Sequence, residues 1–576
     1  MAPGWVVVLL LVGGSSASES SQSCNVSQKC IEDINTFLWE INHDKPKEYA
    51  VLMYDSFGKM GSNVEGGNVN QPGLLQQCRS AIGPSFSELH WYRFLISVNF
   101  YRYRYWHCGP NVYGALKTSD SSSREMNGST GENDRPSPEQ ISQSCAFECL
   151  QAFSLQTNCR GIFSTSSSSI LVGSFSSLNG IRVLSLLWII CGHSTQFPVI
   201  NNLDNYKNWR GTVENNPVYI FTISGPVFLA VDTFLLLGGL LSARSLLRSI
   251  DKAGDKLTLS LVANYLFKRI KRIQPLHMFT MCLTISLISL VQWGPYWFPF
   301  MDTMMDCKAY WWANLLLISN LLPIHKVCSP WTWYLSLDFQ CYITTPLLIF
   351  LYRFKRRVFA VVVGGLLLMS TLTSAVITAH LHLPVFQPST MTSENYVLHY
   401  YVKPYTRYGP FLIGILTGIH LATKKDQLLK QKWQAALGWW CSLSLMALLV
   451  GYAYFLKETP THPSLPHAVY QGLHRPVWAL TVSWIILACE EGYGGFIKTL
   501  LSLRFWVPLS NISFACYLIH PVFIILYIGL QETPIHYSDI NFMYLFLGHL
   551  ALTLVASCAL TVLIEKPFQF FKRRNT

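Results

Sequence analysis

The sequence predicts an all-α polytopic membrane protein of about 10–11 transmembrane helices, with a small cysteine-containing amino-terminal luminal domain. Three observations predict it. Half of the 576 residues are hydrophobic and only 13% are charged, a balance that soluble globular chains rarely show. From Leu178 onward, apolar runs long enough to cross a bilayer follow one another. The net charge of +12 comes from short basic clusters between those runs, as the positive-inside rule requires, rather than from a nucleic-acid face. No nucleic-acid partner is therefore expected.

The amino terminus carries a short apolar core, Val6 to Val12, and small residues up to Ala17, the pattern of a secretory signal over 1–17. Residues 18–160 are polar and hold seven cysteines, Cys24, Cys30, Cys78, Cys108, Cys145, Cys149 and Cys159, with glycan acceptors at Asn25 and Asn127. That combination predicts a disulfide-containing luminal domain. Residues 161–177 form a serine-rich linker.

Ten spans are expected, near 178–197, 217–243, 274–297, 332–352, 358–380, 408–423, 434–456, 473–489, 508–530 and 541–564. The apolar stretch 311–324 is too short to cross and reads as re-entrant. The basic clusters 244–272, 353–357, 424–432 and 572–574 are expected in the cytosol. An even number of spans between the first two puts Cys307 and Cys328 together on the luminal side, as candidates to pair. Ten spans and a cytosolic tail also put the chain before Leu178 in the cytosol, whereas the signal and the acceptors put the amino-terminal domain in the lumen. One crossing is unaccounted for, and no run between Ser18 and Ser177 is apolar enough to supply it.

Within the first span, Arg182 and His193 stand eleven positions apart. Eleven residues return to nearly the same helix face, roughly 16 Å along the axis. Ionisable groups inside a bilayer mark function unless they are paired, and an imidazole that titrates near neutrality suits a general base. Asp232 and Asp338 lie in later spans and Glu565 ends the last one. Each either neutralises a buried cation or supports the site, and Asp232 or Asp338 could orient His193. His520, before Pro521, either lines the same cavity or serves a helix kink. His462, His467 and His474 fall unevenly in one luminal loop, and no metal is assigned. No phosphate-binding or dinucleotide glycine motif is present.

The run from Leu178 to Ser185, continued by Gly192-His193-Ser194, resembles the first-span signature of the acyltransferase 3 membrane family. Val231 to Gly239, Lys268 to Pro275, Trp331 to Gln340, Tyr517 to Pro521 and Ile564 to Phe568 resemble its later motifs in order, with Asp338 where many members carry Glu. Tyr54 to Lys59, Gly66-Gly67-Asn68 and Cys78 resemble a nose-resistant-to-fluoxetine domain. Ala152 to Asn158 resembles sequence that follows an extra span in such proteins, yet here it follows Cys149 almost directly. The resemblance implies an acyltransferase domain over 178–570. It implies acyl-CoA as donor, with Arg182, Arg269 and Arg272 as donor ligands and His193 as base. The acceptor would be a small molecule, lipid or glycan hydroxyl on the luminal side or in the membrane of the endoplasmic reticulum or cell surface. A transporter or carrier of lipids or small hydrophobic molecules, or a catalytically silent relative, is the alternative.

Overall fold

The structure, a computed structural model, describes residues 28–43, 45–56, 152–163, 175–201, 203–217, 219, 226–291, 296, 307–323, 326–423, 429 and 431–569. The candidate signal, Asn25, Asn127 and the basic tail at 572–574 lie outside the described residues. The chain forms two compact units, residues 1–133 with 293–297 and 529–534, and the remainder. In the first, α1 (Gln28–Ile41) and α2 (Glu48–Ser56) follow one another, and Lys47 pairs with Glu40 across the connection.

The second unit opens with α3 (Leu155–Phe163), α4 (Ser177–Asn201), α5 (Tyr206–Asn215), α6 (Phe228–Lys252), α7 (Leu259–Leu290) and α8 (Cys307–Leu315). It continues with α9 (Trp333–Phe354), α10 (Arg356–His380), α11 (Gln387–Thr392), α12 (Pro404–Thr423) and α13 (Lys432–Phe455). It closes with α14 (Leu465–Glu490), α15 (Gly495–Leu501), α16 (Trp506–Gly529) and α17 (Asp539–Leu560). The described residues hold no strand, only an isolated bridge between Leu203 and Ile535. Eight of the helices are long and apolar enough to cross a membrane. α7, with 32 residues, and α12, with 20, are long enough but more polar. These ten helices follow the expected order of spans.

Local chemistry sets the boundaries. Thr258 and Ser538 cap α7 and α17 by accepting from the backbone N–H of Leu261 and Asn541. One extended residue, Lys355, parts α9 from α10 (φ −154°, ψ 106°). Three boundaries differ from the sequence expectation. The helix of the second span, Phe228–Lys252, extends past the expected end at 243, because it runs on through its basic end. The third begins at Leu259 and not near 274, so Lys268 to Arg272 belong to the helix and not to a loop before it. α14 begins at Leu465, with Pro466 in its first turn. His467 and His474 are therefore buried helix residues bonded to Ser464 and to the Tyr470 carbonyl, and not loop residues.

α6 lies at the centre and packs on α12, α9, α4 and α14. Its closest partner is α12. A Cβ at Gly239 would sit 2.2 Å from the Phe411 carbonyl oxygen and one at Gly414 2.1 Å from that of Leu236, so only glycine permits this approach. Buried leucines and isoleucines of the same helices form the two main cores. α10 and α13 stand at the periphery with most of their surface exposed. Where a re-entrant stretch was expected, α8 has nine residues and a 3₁₀ turn follows at Ser319–Leu321. At 1.5 Å per residue that helix is about 13 Å long and does not span a bilayer. Cys307 and Cys328 are joined by a disulfide that ties α8 to the turn before α9.

At one end of the bundle α3 lies against the close of the last span. Asn158 bonds to the Val562 carbonyl (3.1 Å), Asn511 to that of Ile162 (2.9 Å) and Lys566 to that of Gly161 (3.4 Å).

Candidate active site

A cavity of about 1160 Å³ runs between α4, α6, α7, α9 and α16, large enough for a sizeable ligand. Arg182 and His193 both line it from α4, as their spacing on one face requires. α4 enters at the Arg182 end and α6 runs back to that end, so Arg244, Arg248 and Lys252 in its last turns reach the cavity beside the arginines of α7. Four cations at depth (Arg182, Lys268, Arg269, Arg272) and three on α6 thus share the lining with one carboxylate, Asp338.

Asp338 is committed to Arg269 in a short ion pair, and its side chain is almost wholly buried. Arg182 donates through Nη1 to the Ser510 hydroxyl at 2.8 Å and touches no carboxylate. Arg272 exposes its side chain to the cavity and makes no hydrogen bond or ion pair among the described residues. Positive charge at this end therefore exceeds what the protein itself neutralises, and guanidinium groups are the donors suited to phosphate.

At the other end His193 pairs with His520. His193 Nδ1 and His520 Nε2 are 2.9 Å apart, and His520 Nδ1 lies 2.9 Å from the Cys516 carbonyl oxygen. A carbonyl only accepts, so the His520 proton sits on Nδ1 and its Nε2 accepts from His193 Nδ1–H. That order leaves a lone pair on His193 Nε2, the atom a general base needs. The His193 ring stacks on Phe197 at a centroid distance of 5.2 Å. Tyr517 lies 6.4 Å from the His520 ring, and Tyr334 meets Phe234 and Tyr517 edge-on at 6.3 and 5.6 Å. Aromatic rings thus run along the lining from the histidines to the arginines, where Arg269 lies over Tyr342 and Arg244 over Phe175.

The structure brings together Arg182, His193, Arg269, Arg272, Asp338 and His520, all of which line the cavity. It sets Asp232 apart, and it leaves Glu565 outside the lining but near enough to act on Arg272 electrostatically. Asp232 is fully buried, bonded to Arg407 Nη1 at 2.8 Å and 3.8 Å from Arg475 Nε. Glu565 accepts from Gln569 at 2.8 Å and does not line the cavity. Neither Asp232 nor Asp338 bonds to His193; the side chain that does is His520. Arg407, Arg475 and Ser510 were not singled out in the sequence. The two arginines carry the same signal as Arg182, a lone cation in an apolar helical run. Ser510 carries none, because a serine in a span is unremarkable.

The acyltransferase 3 family profile, described as an acyltransferase domain, matches residues 175–564. The chain is 30% identical to nose resistant to fluoxetine protein 6 of Caenorhabditis elegans over 417 residues, 68% of this chain and 49% of that protein. It is 24% identical to regulator of hypoxia-inducible factor 1 of the same organism over 302 residues, 48% of this chain and 56% of that protein. The chain thus spans about half the length of the curated relatives it matches. No solved structure matches it.

Proposed function

This chain belongs to the acyltransferase 3 family of membrane proteins, and on that premise we propose that it moves an acyl group from acyl-CoA to the hydroxyl of a luminal or membrane acceptor. The donor enters at the basic end, where Arg182, Arg269 and Arg272 bind its phosphates. The acceptor reaches His193 from the opposite end, where the two histidines lie. Both substrates meet in one cavity, lined by Arg182 and His193 roughly 16 Å apart along α4.

His193 Nε2 removes the hydroxyl proton as the oxygen attacks the thioester carbonyl. The C–O bond forms, the C–S bond breaks, and the proton now on Nε2 passes to the departing sulfur, so that ester and free thiol leave with no net gain or loss of protons. As His193 becomes cationic, its Nδ1–H bond to His520 strengthens, which stabilises the charge where it develops. The observation that carries this reading is the lone pair that the His520 bond leaves on His193, in a cavity whose far end is rich in unneutralised guanidinium.

By the positive-inside rule the basic end faces the cytosol. α3 lies at that end, so a luminal Asn127 demands a crossing between Asn127 and Ala152. A glycan on Asn127 together with protease access to an epitope at Ala152 from the cytosolic side supports this arrangement; both on one side overturns it.

The function itself is tested by incubating membranes that hold the protein with labelled acyl-CoA and following label into any product, wild type against His193→Ala. Transfer, or slow thioester hydrolysis, that disappears in folded His193→Ala protein is the expected result. Turnover unchanged by the substitution removes His193 as base. No turnover by folded wild type with a range of donors moves the reading to a carrier.

A further inference from the structure

The cations of the cavity fall into two groups. Arg182, Arg269 and Arg272 lie close enough to act on one another electrostatically. Arg244 acts instead with Arg248, and with Glu490 from the end of α14. The second group rests on a regular spacing. Arg244, Arg248 and Lys252 are four residues apart on α6, hence on one face over about 12 Å, and all three line the cavity where the helix ends.

Positive-inside bias accounts for basic residues at a helix end, but not for what happens to the nearby acids. Asp251 and Asp255 follow Arg248 and Lys252 by three residues, the spacing at which a helix or its last turn usually lets such charges pair. Both are drawn instead to Arg353 at the end of α9, Asp251 at 3.8 Å and Asp255 in a shorter contact. Neither lines the cavity. Arg248 and Lys252 face it with their neighbouring carboxylates turned away.

We propose that Arg248 and Lys252, backed by Arg244, form a second phosphate subsite that receives a phosphomonoester, distinct from the inner arginines that take a diphosphate. This rests on acyl-CoA as donor. Coenzyme A carries both groups, a diphosphate and a separate 3′-phosphate on its ribose, and the second subsite makes the protein selective for thioesters that retain the 3′-phosphate. Thioesters of dephospho-coenzyme A or of a bare pantetheine arm are then poor donors.

The test measures binding of coenzyme A and of dephospho-coenzyme A, nucleotides that differ only in the 3′-phosphate, to the purified full chain in nanodiscs of phosphatidylcholine. Wild type should hold coenzyme A tighter by about 10–100-fold, the range of a charge-assisted phosphate contact. Arg248→Gln/Lys252→Gln should bind the two nucleotides alike, and the charge-keeping pair Arg248→Lys/Lys252→Arg should retain the preference. Equal binding of both nucleotides by wild type, or a preference that survives the glutamine pair, overturns the subsite while leaving the donor assignment standing. Failure of wild type to bind either nucleotide overturns the donor assignment itself. Nanodiscs containing phosphatidic acid separate the remaining source: retention of that lipid by wild type but not by the glutamine pair, without any nucleotide preference, makes the subsite a lipid-headgroup site and overturns the proposal.

Discussion

Two clusters of buried arginine lie in the same bundle and are built in opposite ways. Around Asp232 one carboxylate is set between two fully buried arginines. Arg407 bonds to the carboxylate, donates from Nε to the Tyr401 carbonyl at 2.6 Å and lies under the rings of Trp333 and Tyr401. Arg475 bonds to the Thr406 carbonyl at 2.9 Å and lies over Tyr400 at 4.2 Å. Acceptors and π-faces lower the cost of holding two cations against one anion in a medium of low dielectric. In the cavity, by contrast, Arg182 has one hydroxyl, and Arg272 makes no hydrogen bond or ion pair among the described residues and meets the Glu565 carboxylate only through longer-range electrostatics. The difference is one of access: Arg407 and Arg475 are fully buried and line no part of the cavity, so their charge is balanced from within, whereas Arg182, Arg269 and Arg272 line a space that a ligand can enter.

The sharpest break between the two is in what a substitution damages. His193→Ala should lower acyl transfer by about 10²–10⁴-fold, the range for losing a general base. Its thermal unfolding in detergent should stay near wild type, because His193 faces a cavity and holds no buried charge. A variant that loses the fold as well would erase the distinction. Asp232→Ala should do the reverse, with a loss of about 3–5 kcal/mol from two arginines left without their counter-charge, read as a lower unfolding temperature. Activity per folded molecule should persist. A stable Asp232→Ala protein without activity would move Asp232 into the site.

How much of this was legible depends on whether a residue's partner lies in its own helix. Arg182 and His193 were readable together because one periodicity carries both. The Cys307–Cys328 pair followed from span parity. His520 was legible as a candidate for the same cavity but not as the partner of His193, since that bond joins positions 327 apart and no local pattern encodes the contact. The roles of Asp232 and Asp338 stayed open between counter-ion and orienting group for the same reason; geometry makes both counter-ions, of Arg407 and Arg269. Lys268 to Arg272 looked like a loop before a span because charge counts against an apolar run. They are helical because one face of α7 meets a polar cavity and not lipid.

Between the two clusters stands the α6–α12 contact, which supplies Asp232 from one helix and Arg407 from the other. Gly414→Ala would drive a methyl group into the Leu236 carbonyl and separate the helices, at about 1–3 kcal/mol for overpacking. The expected readout is a lower unfolding temperature, with donor binding at the arginines of α4 and α7 unchanged because neither helix is part of that contact. Loss of donor binding at full stability would instead show that the position of α6 governs the cavity directly.

The smallest effect concerns His520, which acts only through His193. Replacing it by Phe removes the acceptor for His193 Nδ1–H, frees the ring to adopt the other tautomer and should lower kcat by about tenfold, the worth of one such bond. The donor KM should not change, since His520 is remote from the arginines. Glutamine presents a side-chain carbonyl oxygen that accepts the same hydrogen, so His520→Gln should recover most of the rate. A packing role predicts a different order: the ring of Phe would fill the space better than an amide, and the Phe variant would be the more active. The ranking of the two variants in kcat therefore separates a residue that orients a base from one that fills a helix interface.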